Sequence, residues 1–536
     1  MSAYQEAIAA LSHQKKTTLE SASSISIKLS ALHPKLNILQ LEDIKTTLYG
    51  RLLTLCKQAA KGGIALTVDA EEVFRLETSL ILFDKLAQEP DLANWNGLGL
   101  AIQAYLRAAP KVIETIIAIA KKTKRRIPVR LVKGAYWDSE IKYAQQHGLE
   151  TYPVYTKKLH TDISYLACAK ILWDNKTWIY PQFATHNTQT IASILTLTQN
   201  SPDFEFQCLH GMGETLYNHI LEQLPETNCR IYAPVGRHKA LLAYLVRRLL
   251  ENGANTSFIN RIANDNLPIE QLIASPISML QAEKISPHPC IPAPPQLHKG
   301  RKNARGLHFD QYSVLNQTKA HIDQFFPHQL TVASRLGQET PKDSKQKNPQ
   351  KNYNPSVLDH LVANVSYADE ASINPAFKLA QEALAPWQQA PVEHRAQCLE
   401  KLADLLEENQ DQLITLLMAE AGKTLANAVG EIREAVDFAR FYSQQAQELN
   451  SKAIEFKGIT GQTNLMRYHG RGIMVCISPW NFPLAIFLGQ LCAALVMGNA
   501  VMAKPAEQTP AIATFAVDLA HQAGIPKAIL QCFLGD

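Results

Sequence analysis

Paired cysteines, long apolar runs and excess charge are what this sequence has least of. Its nine cysteines, at 56, 168, 208, 229, 290, 398, 476, 492 and 532, are odd in number and nowhere spaced C-x-x-C. That argues against a disulfide framework or a zinc cage, so no metal site is expected, and it points to free thiols in a reducing cytoplasm. Apolar stretches such as LCAALVMGNAVMA are broken by Gly and Asn before they reach bilayer length, and the opening MSAYQEAIAALSHQKK lacks the apolar core of a signal peptide or anchor. Any membrane contact is therefore expected to be peripheral. A formal charge of +4 over 536 residues makes no electrostatic case for nucleic acid. No repeat of roughly 20–50 residues is found.

What remains is 46% hydrophobic and 19% charged, the composition of an α/β protein with more than one core. Seven β-rich runs alternate with amphipathic helical stretches: ISIKL (25–29), IALTVD (64–69), LGLAIQ (98–103), PVRLVKG (128–134), WIYPQFA (178–184), FEFQCLHG (204–211) and CRIYAPVG (229–236). This is the pattern of βα units around a parallel sheet. Lys28, Asp69, Gln103, Lys133, His186, Gln207 and Tyr232 fall at or just after strand ends, where a (β/α)8 barrel gathers its active site. A barrel needs eight strands and residues before 25 read as one helix, so the first strand is expected to lie upstream of Met1.

Residues 1–265 are thus expected to form a TIM-type barrel lacking its first strand. Residues 266–360, with SPHPCIPAPP, GRKNARG and PKDSKQKNPQKNYNP, read as linker. Residues 361–536 read as three helical stretches followed by β-α-β-α-β, the opening part of a Rossmann-type domain that continues beyond Asp536.

Several residues carry chemistry. Arg247 and Arg248 sit in LLAYLVRRLLENGAN, a helix apolar on nearly every face, and paired guanidinium groups suit bidentate recognition of a small carboxylate, though they could equally face solvent or an internal acid. Tyr244 shares their side of that helix. In RLVKGAYWDSEIK, free amides at a helix start beside a cation suit a phosphate or an electron-rich ring edge, and Tyr136 and Trp137 could stack on an aromatic cofactor. Lys28 and Asp69 could pair across the barrel mouth, structurally or catalytically. Lys28 or Lys133 could instead form a Schiff base, as in barrel aldolases. His186 and His210 read as strand-end histidines, structural or in the site. In SPWNFP, Asn481 could donate to an oxyanion, and Lys504 could reach a ribose or phosphate, yet no G-x-G-x-x-G follows either strand.

SIKLSALHP, VDAEE, RLVKGAYWDSEIK, YPQFATHN, FEFQCLHGMGE, RIYAPVG and LLAYLVRRLLENGANTSF together resemble the proline dehydrogenase domain of the bifunctional proline utilization A family. ISPWNFPLAIFLGQ and MAKPAEQTP resemble the amino-terminal part of that family's aldehyde dehydrogenase domain. The resemblance implies FAD-dependent oxidation of L-proline to Δ1-pyrroline-5-carboxylate, then NAD-dependent oxidation of glutamate semialdehyde. It implies that Arg247 and Arg248 clamp the proline carboxylate, that Lys28 and Asp69 close the polar side, and that Tyr136, Leu209, Tyr232 and Tyr244 wall the ring. Gln103, Arg130, Lys133, Gly134, Ala135, Trp137, Thr185, His186, Gln207 and Glu251 would hold the flavin. Asn481 would be the oxyanion donor and Lys504 a NAD contact in an incomplete site, since the family's nucleophilic Cys and general-base Glu lie beyond Asp536. Cys476, Cys492 and Cys532 fall in early structural elements and are not expected to be nucleophiles. Membrane quinone as electron acceptor, a homo-oligomeric full-length protein and a cytoplasmic location at the inner membrane face are also implied. A Schiff-base aldolase and a non-catalytic fragment needing a complementary chain are the competing readings.

Overall fold

The computed structural model describes residues 1–12, 22–236, 239, 241–242, 244–246, 274–283, 287–325, 329–337, 349–450 and 452–536. They form two compact units, one of Met1–Ala144, Tyr152–Pro292 and Phe309–Tyr312, the other of Gln145–Thr151, Ala293–His308 and Ser313–Asp536.

The first unit is built on seven strands: β1 (Ser24–Ile27), β2 (Ala65–Val68), β3 (Leu98–Gln103), β4 (Ile127–Val132), β5 (Ile179–Ala184), β6 (Glu205–Leu209) and β7 (Asn228–Tyr232). Each corresponds to one of the seven runs read from sequence. They pair in chain order, every neighbour parallel, and among the described residues no ladder joins β7 to β1. Parallel neighbours require crossovers, supplied by helices such as Tyr49–Gly62, Ala109–Thr123 and Lys158–Asp174. The first of these stops where expected, with Gly63 at φ +67° accepting the left-handed turn that side chains resist.

Strand alternation divides the faces. Phe183 and Phe206 are fully buried toward the helices, where Phe206 packs edge-on to Phe204 at 5.1 Å and at 6.0 Å from Tyr217. Each such burial contributes roughly 1.5–3 kcal/mol. Their strand neighbours Gln182, Glu205 and Gln207 turn inward, and this polar interior underlies the site.

In the second unit, β8 (Leu330–Ala333), β9 (Gln350–Asn354) and β10 (Val357–Ser366) form one small sheet. The segment 266–360 is therefore not linker throughout. Within it, β8 and β9 pair with β10, and Val332 of β8 is buried beside Val362, Ala363 and Val365 of β10, apolar burial that outweighs the low-complexity surroundings. Helices Pro276–Ala282 and Tyr312–Phe325 also fall in the segment. Four helices rather than three follow, Glu370–Gln389, Val392–Glu408, Gln410–Ala421 and Leu425–Asn450, the second and third parted only at Asn409.

A hairpin of β11 (Ile454–Lys457) and β12 (Thr463–Met466) precedes the parallel sheet of β13 (Ile473–Ile477), β14 (Ala500–Lys504) and β15 (Leu530–Cys532), which alternates with helices Ala485–Val496 and Pro510–Gln522 as expected. Buried glutamates seat both helices. Glu431 accepts from the Leu484 and Ala485 amides at 2.9 and 3.3 Å, and Glu420 from those of Ala511 and Ile512 at 2.9 and 2.8 Å. Acceptor oxygens at these amino termini satisfy otherwise orphaned amides, and burial pushes the Glu420 carboxyl up to about 8.

Candidate functional site

The carboxyl ends of β1 to β7 bring most of the expected residues together. Lys28, directly after β1, donates through Nζ to the Tyr136 hydroxyl at 2.5 Å and lies 5.3 Å from that ring's centroid. Burial alone pulls the Lys28 ammonium down. The Tyr136 hydrogen bond, with Asp69 and Glu71 nearby, outweighs this and leaves it above its ordinary range. An amine so held is a protonated cation near neutral pH, unsuited to Schiff-base attack.

Asp69 does not pair with Lys28. Its carboxylate accepts from Arg130 Nη1 at 2.7 Å, while the Lys28 ammonium is engaged by the Tyr136 hydroxyl. Burial nevertheless lifts the Asp69 carboxyl above the ordinary carboxylate range, against the pull of Arg130 and Lys28. Arg130 also donates through Nε to Gln207 Oε1 at 2.6 Å and through Nη2 to the Ser26 hydroxyl at 2.8 Å, and it lies 5.4 Å from the Tyr232 ring centroid. Burial pushes the Tyr232 phenol up to about 12, keeping it neutral.

Around this hub, Gln103 donates to the Glu71 carbonyl at 2.9 Å and accepts from the Ala135 amide at 3.1 Å. One of the amides expected to be free at the Trp137 helix start is therefore already bound, since the end of β3 lies directly beneath it. Gly134, at φ +144°, lies against Tyr105, whose ring would be 2.5 Å from an added Cβ. Any side chain here would meet both strain and collision. Lys133 pairs with Asp162, and burial pulls its ammonium below the ordinary range despite that partner. Trp137 is anchored through Nε1 to the Tyr155 carbonyl at 2.9 Å, the Leu209 amide donates to His186 Nε2 at 3.0 Å, and the Thr185 carbonyl accepts from Tyr217 at 2.6 Å. His210 is exposed, its amide bonded to the Tyr232 carbonyl at 2.8 Å.

Tyr244 is helical, and Leu242, Leu245 and Val246 beside it are exposed rather than buried. Arg247, Arg248 and Glu251 lie outside the described residues. Sequence reasoning missed Ser26, Glu71, Glu140, Asp162, Gln182, Glu205 and Arg230. Only the inward period of two that places Glu205 beside Gln207 was available as a signal.

In the second unit, Asn481 is exposed in the turn after β13, between exposed Trp480 and Phe482. Lys504 ends β14, with Glu507 at 3.5 Å. Cys476, Cys492 and Cys532 are buried, and burial raises all three thiols, the last two to about 12. None is an activated thiolate.

Arg130 and Lys133, with the glycine turn at 134, place positive charge and close backbone at the strand ends, chemistry that would fit an anionic, ring-bearing group, while the Gln103 and Gln207 amide nitrogens are taken by the Glu71 carbonyl and Glu205. Among the described residues no cluster of three His, Cys, Asp or Glu could hold a metal, and no helix is long and apolar enough to cross a membrane.

Comparison with known proteins agrees with the order of the two units. Residues 1–261 match the proline dehydrogenase family, and residues 342–536 the aldehyde dehydrogenase family. The whole chain is 44% identical to the bifunctional protein PutA of Klebsiella aerogenes, covering 41% of it, so it spans about two fifths of that relative's length. Among solved structures, a mutant proline utilization A from Bradyrhizobium japonicum aligns over 100% of this chain and 51% of its own, with TM-score 0.87 and 42% identity. The Bdellovibrio bacteriovorus protein inactivated by N-propargylglycine aligns over 99% of this chain and 56% of its own, with TM-score 0.90 and 31% identity. Its first region a TIM-like barrel domain and its second an aldehyde dehydrogenase region, the chain belongs to the PutA-like family of bifunctional proline dehydrogenase and pyrroline-5-carboxylate dehydrogenase proteins.

Proposed function

We propose that the first unit binds FAD at the carboxyl ends of its strands and oxidises L-proline to Δ1-pyrroline-5-carboxylate. The observation that carries this is the Lys28–Tyr136 pair, bonded at 2.5 Å, and the Asp69–Arg130–Gln207 network, bonded at 2.6–2.7 Å, both at one end of a parallel barrel sheet. When bound, the flavin supplies an acceptor for the hydride leaving the proline ring. The chain's own residues bind and orient. Arg247 and Arg248 hold the carboxylate, Lys28 and Asp69 form the polar side, and Tyr136, Leu209, Tyr232 and Tyr244 exclude water from the ring. Arg130, Lys133 and Gln207, with Gln103, Gly134, Ala135, Trp137, Thr185, His186 and Glu251, hold the cofactor.

Asn481 and Lys504 contribute to a NAD-linked site in the second unit. Buried and protonated, Cys476, Cys492 and Cys532 are not its nucleophile. Electron transfer to membrane quinone, peripheral contact at the inner membrane face and homo-oligomerisation complete the proposal.

The test is to reconstitute the chain with FAD and add L-proline without oxygen. Bleaching of the flavin band is expected, and proline-dependent dye reduction should follow. A chain that binds FAD but shows no bleaching, alone or with an added segment preceding residue 1, would sink the assignment. Borohydride trapping of a carbonyl substrate on Lys28 or Lys133 would replace it with the aldolase reading.

A further inference from the structure

The inner face of the barrel sheet carries a chain of hydrogen bonds leading from β7 to the strand ends of β1 and β2. Glu205, on β6 with its side chain 1% exposed, accepts from Arg230 Nε at 2.8 Å and Nη2 at 2.9 Å. The same carboxylate accepts from Gln182 Nε2 at 2.9 Å and from Gln207 Nε2 at 2.6 Å. The other end of the Gln207 amide, Oε1, accepts from Arg130 Nε at 2.6 Å, and Arg130 in turn holds Asp69 and Ser26.

We infer that Glu205 is a positioning residue for Arg130, acting through Gln207. An amide has one donor end and one acceptor end, whereas an ionised carboxylate only accepts. Glu205 therefore fixes the Gln207 nitrogen toward itself and leaves the oxygen for Arg130. The reversed amide would set oxygen against carboxylate and NH2 against the Arg130 N–H, two repulsive contacts inside a buried network. Arg230, which neutralises Glu205, also donates through Nη1 to the Ala22 carbonyl at 2.6 Å, just before β1. One carboxylate thus serves two ends of the barrel. It orients the hub at the strand ends, and it seats the guanidinium that reaches from β7 toward β1, where no ladder joins them among the described residues. The functional consequence rests on the reading above that Arg130 belongs to the flavin and proline site.

The relay makes a swap prediction that a packing role does not. Three variants of the full chain are compared: Glu205→Gln, Gln207→Glu and the double E205Q/Q207E. The first frees the amide to reverse, and the second sets two carboxylates side by side. Each should weaken FAD binding, followed by flavin fluorescence, about ten-fold or more. The double variant restores a donor at 205 and an acceptor facing Arg130, and should bind FAD several-fold more tightly than Gln207→Glu, which carries the same residue at 207. The thermal midpoint of the flavin-free chain should fall in each single variant and recover in the double.

Additive losses in both readouts would overturn the relay. Recovery of the flavin-free midpoint, with FAD affinity unmoved by any variant, would support the relay and instead remove Arg130 from the flavin site. If neither single variant folds, the double decides: a folded double supports the relay, and one that also fails to fold overturns it.

Discussion

The Lys28 ammonium and the Tyr136 hydroxyl meet at 2.5 Å across the mouth of the barrel, joining the end of β1 to the loop after β4. Tyr136 is the largest influence that keeps Lys28 charged against the pull of burial. Tyr136→Phe should therefore lower the Lys28 pKa, measurable by NMR titration of the isotopically dimethylated lysine. A hydrogen bond to a charged group contributes about 1.5–3 kcal/mol, so proline oxidation should fall by roughly ten-fold or more. An unchanged Lys28 titration in the variant would show that the contact does not hold the ammonium.

The parts of the fold legible in sequence are those whose burial pattern is one-sided or continuous. LGLAIQ and WIYPQFA announce strands because apolar residues fill nearly every position, as parallel strands covered by helices require. The hairpin of β11 and β12 went unread because all eight of its residues are exposed, leaving no alternation to detect. Within the site, Lys28, Asp69 and Gln207 were visible as polar residues ending apolar runs, and Arg130 only through family resemblance. Glu205 and Arg230 were not visible at all. They are 25 residues apart, and their meeting depends on the register that sets Glu205 against Asn228 and Gln207 against Arg230. Asp69 and Arg130 show the same limit from the other side. The sequence placed Asp69 at the barrel mouth but matched it with Lys28, because side-chain reach is not written in strand spacing.

Arg248 lies outside the described residues, so its role is a matter for experiment. If it clamps the proline carboxylate with Arg247, Arg248→Met should reduce kcat/KM for proline by about 10- to 150-fold, the equivalent of roughly 1.5–3 kcal/mol, while FAD stays bound. Steady-state kinetics with the flavin spectrum as control separates the two effects. Unchanged kcat/KM would remove Arg248 from the substrate site.

Thiol accessibility offers a test of the second unit that needs no cofactor. Cys492 and Cys532 are buried and their thiols stand at about 12, so at neutral pH only roughly one in 10⁵ would be ionised. Cys290, in the first unit, is exposed. Brief treatment of the native chain with iodoacetamide should modify Cys290 and spare Cys492 and Cys532 until the chain is unfolded. Peptide mass spectrometry reads the order directly. Comparable native labelling of Cys532 would contradict the structure of β15.

Glu140 gives a pH dependence whose sign can be worked out. Its carboxyl is 1% exposed at the start of the Trp137 helix, where Oε1 accepts from the Val73 amide at 2.7 Å and from Tyr105 at 3.4 Å. Burial pushes the group from an ordinary 4.5 up to about 7; the Val73 and Tyr105 contacts oppose this, and the charges of Glu72 and Asp310 add to it. Below about pH 4.5 the carboxyl is protonated in both folded and unfolded chain, and ionisation costs nothing. Above about pH 7 it is ionised in both, and the folded state carries the full penalty, roughly 3 kcal/mol for a shift of this size. Stability from this group is therefore lost as pH rises between those limits. Glu140→Gln keeps an acceptor for the Val73 amide and removes the titration, so its stability relative to the original chain should improve by about 2–3 kcal/mol on going from pH 5 to pH 8. Urea unfolding of the first unit at a series of pH values, with flavin absent, measures the difference. A variant whose stability tracks the original chain in parallel across that range would show that Glu140 does not titrate there.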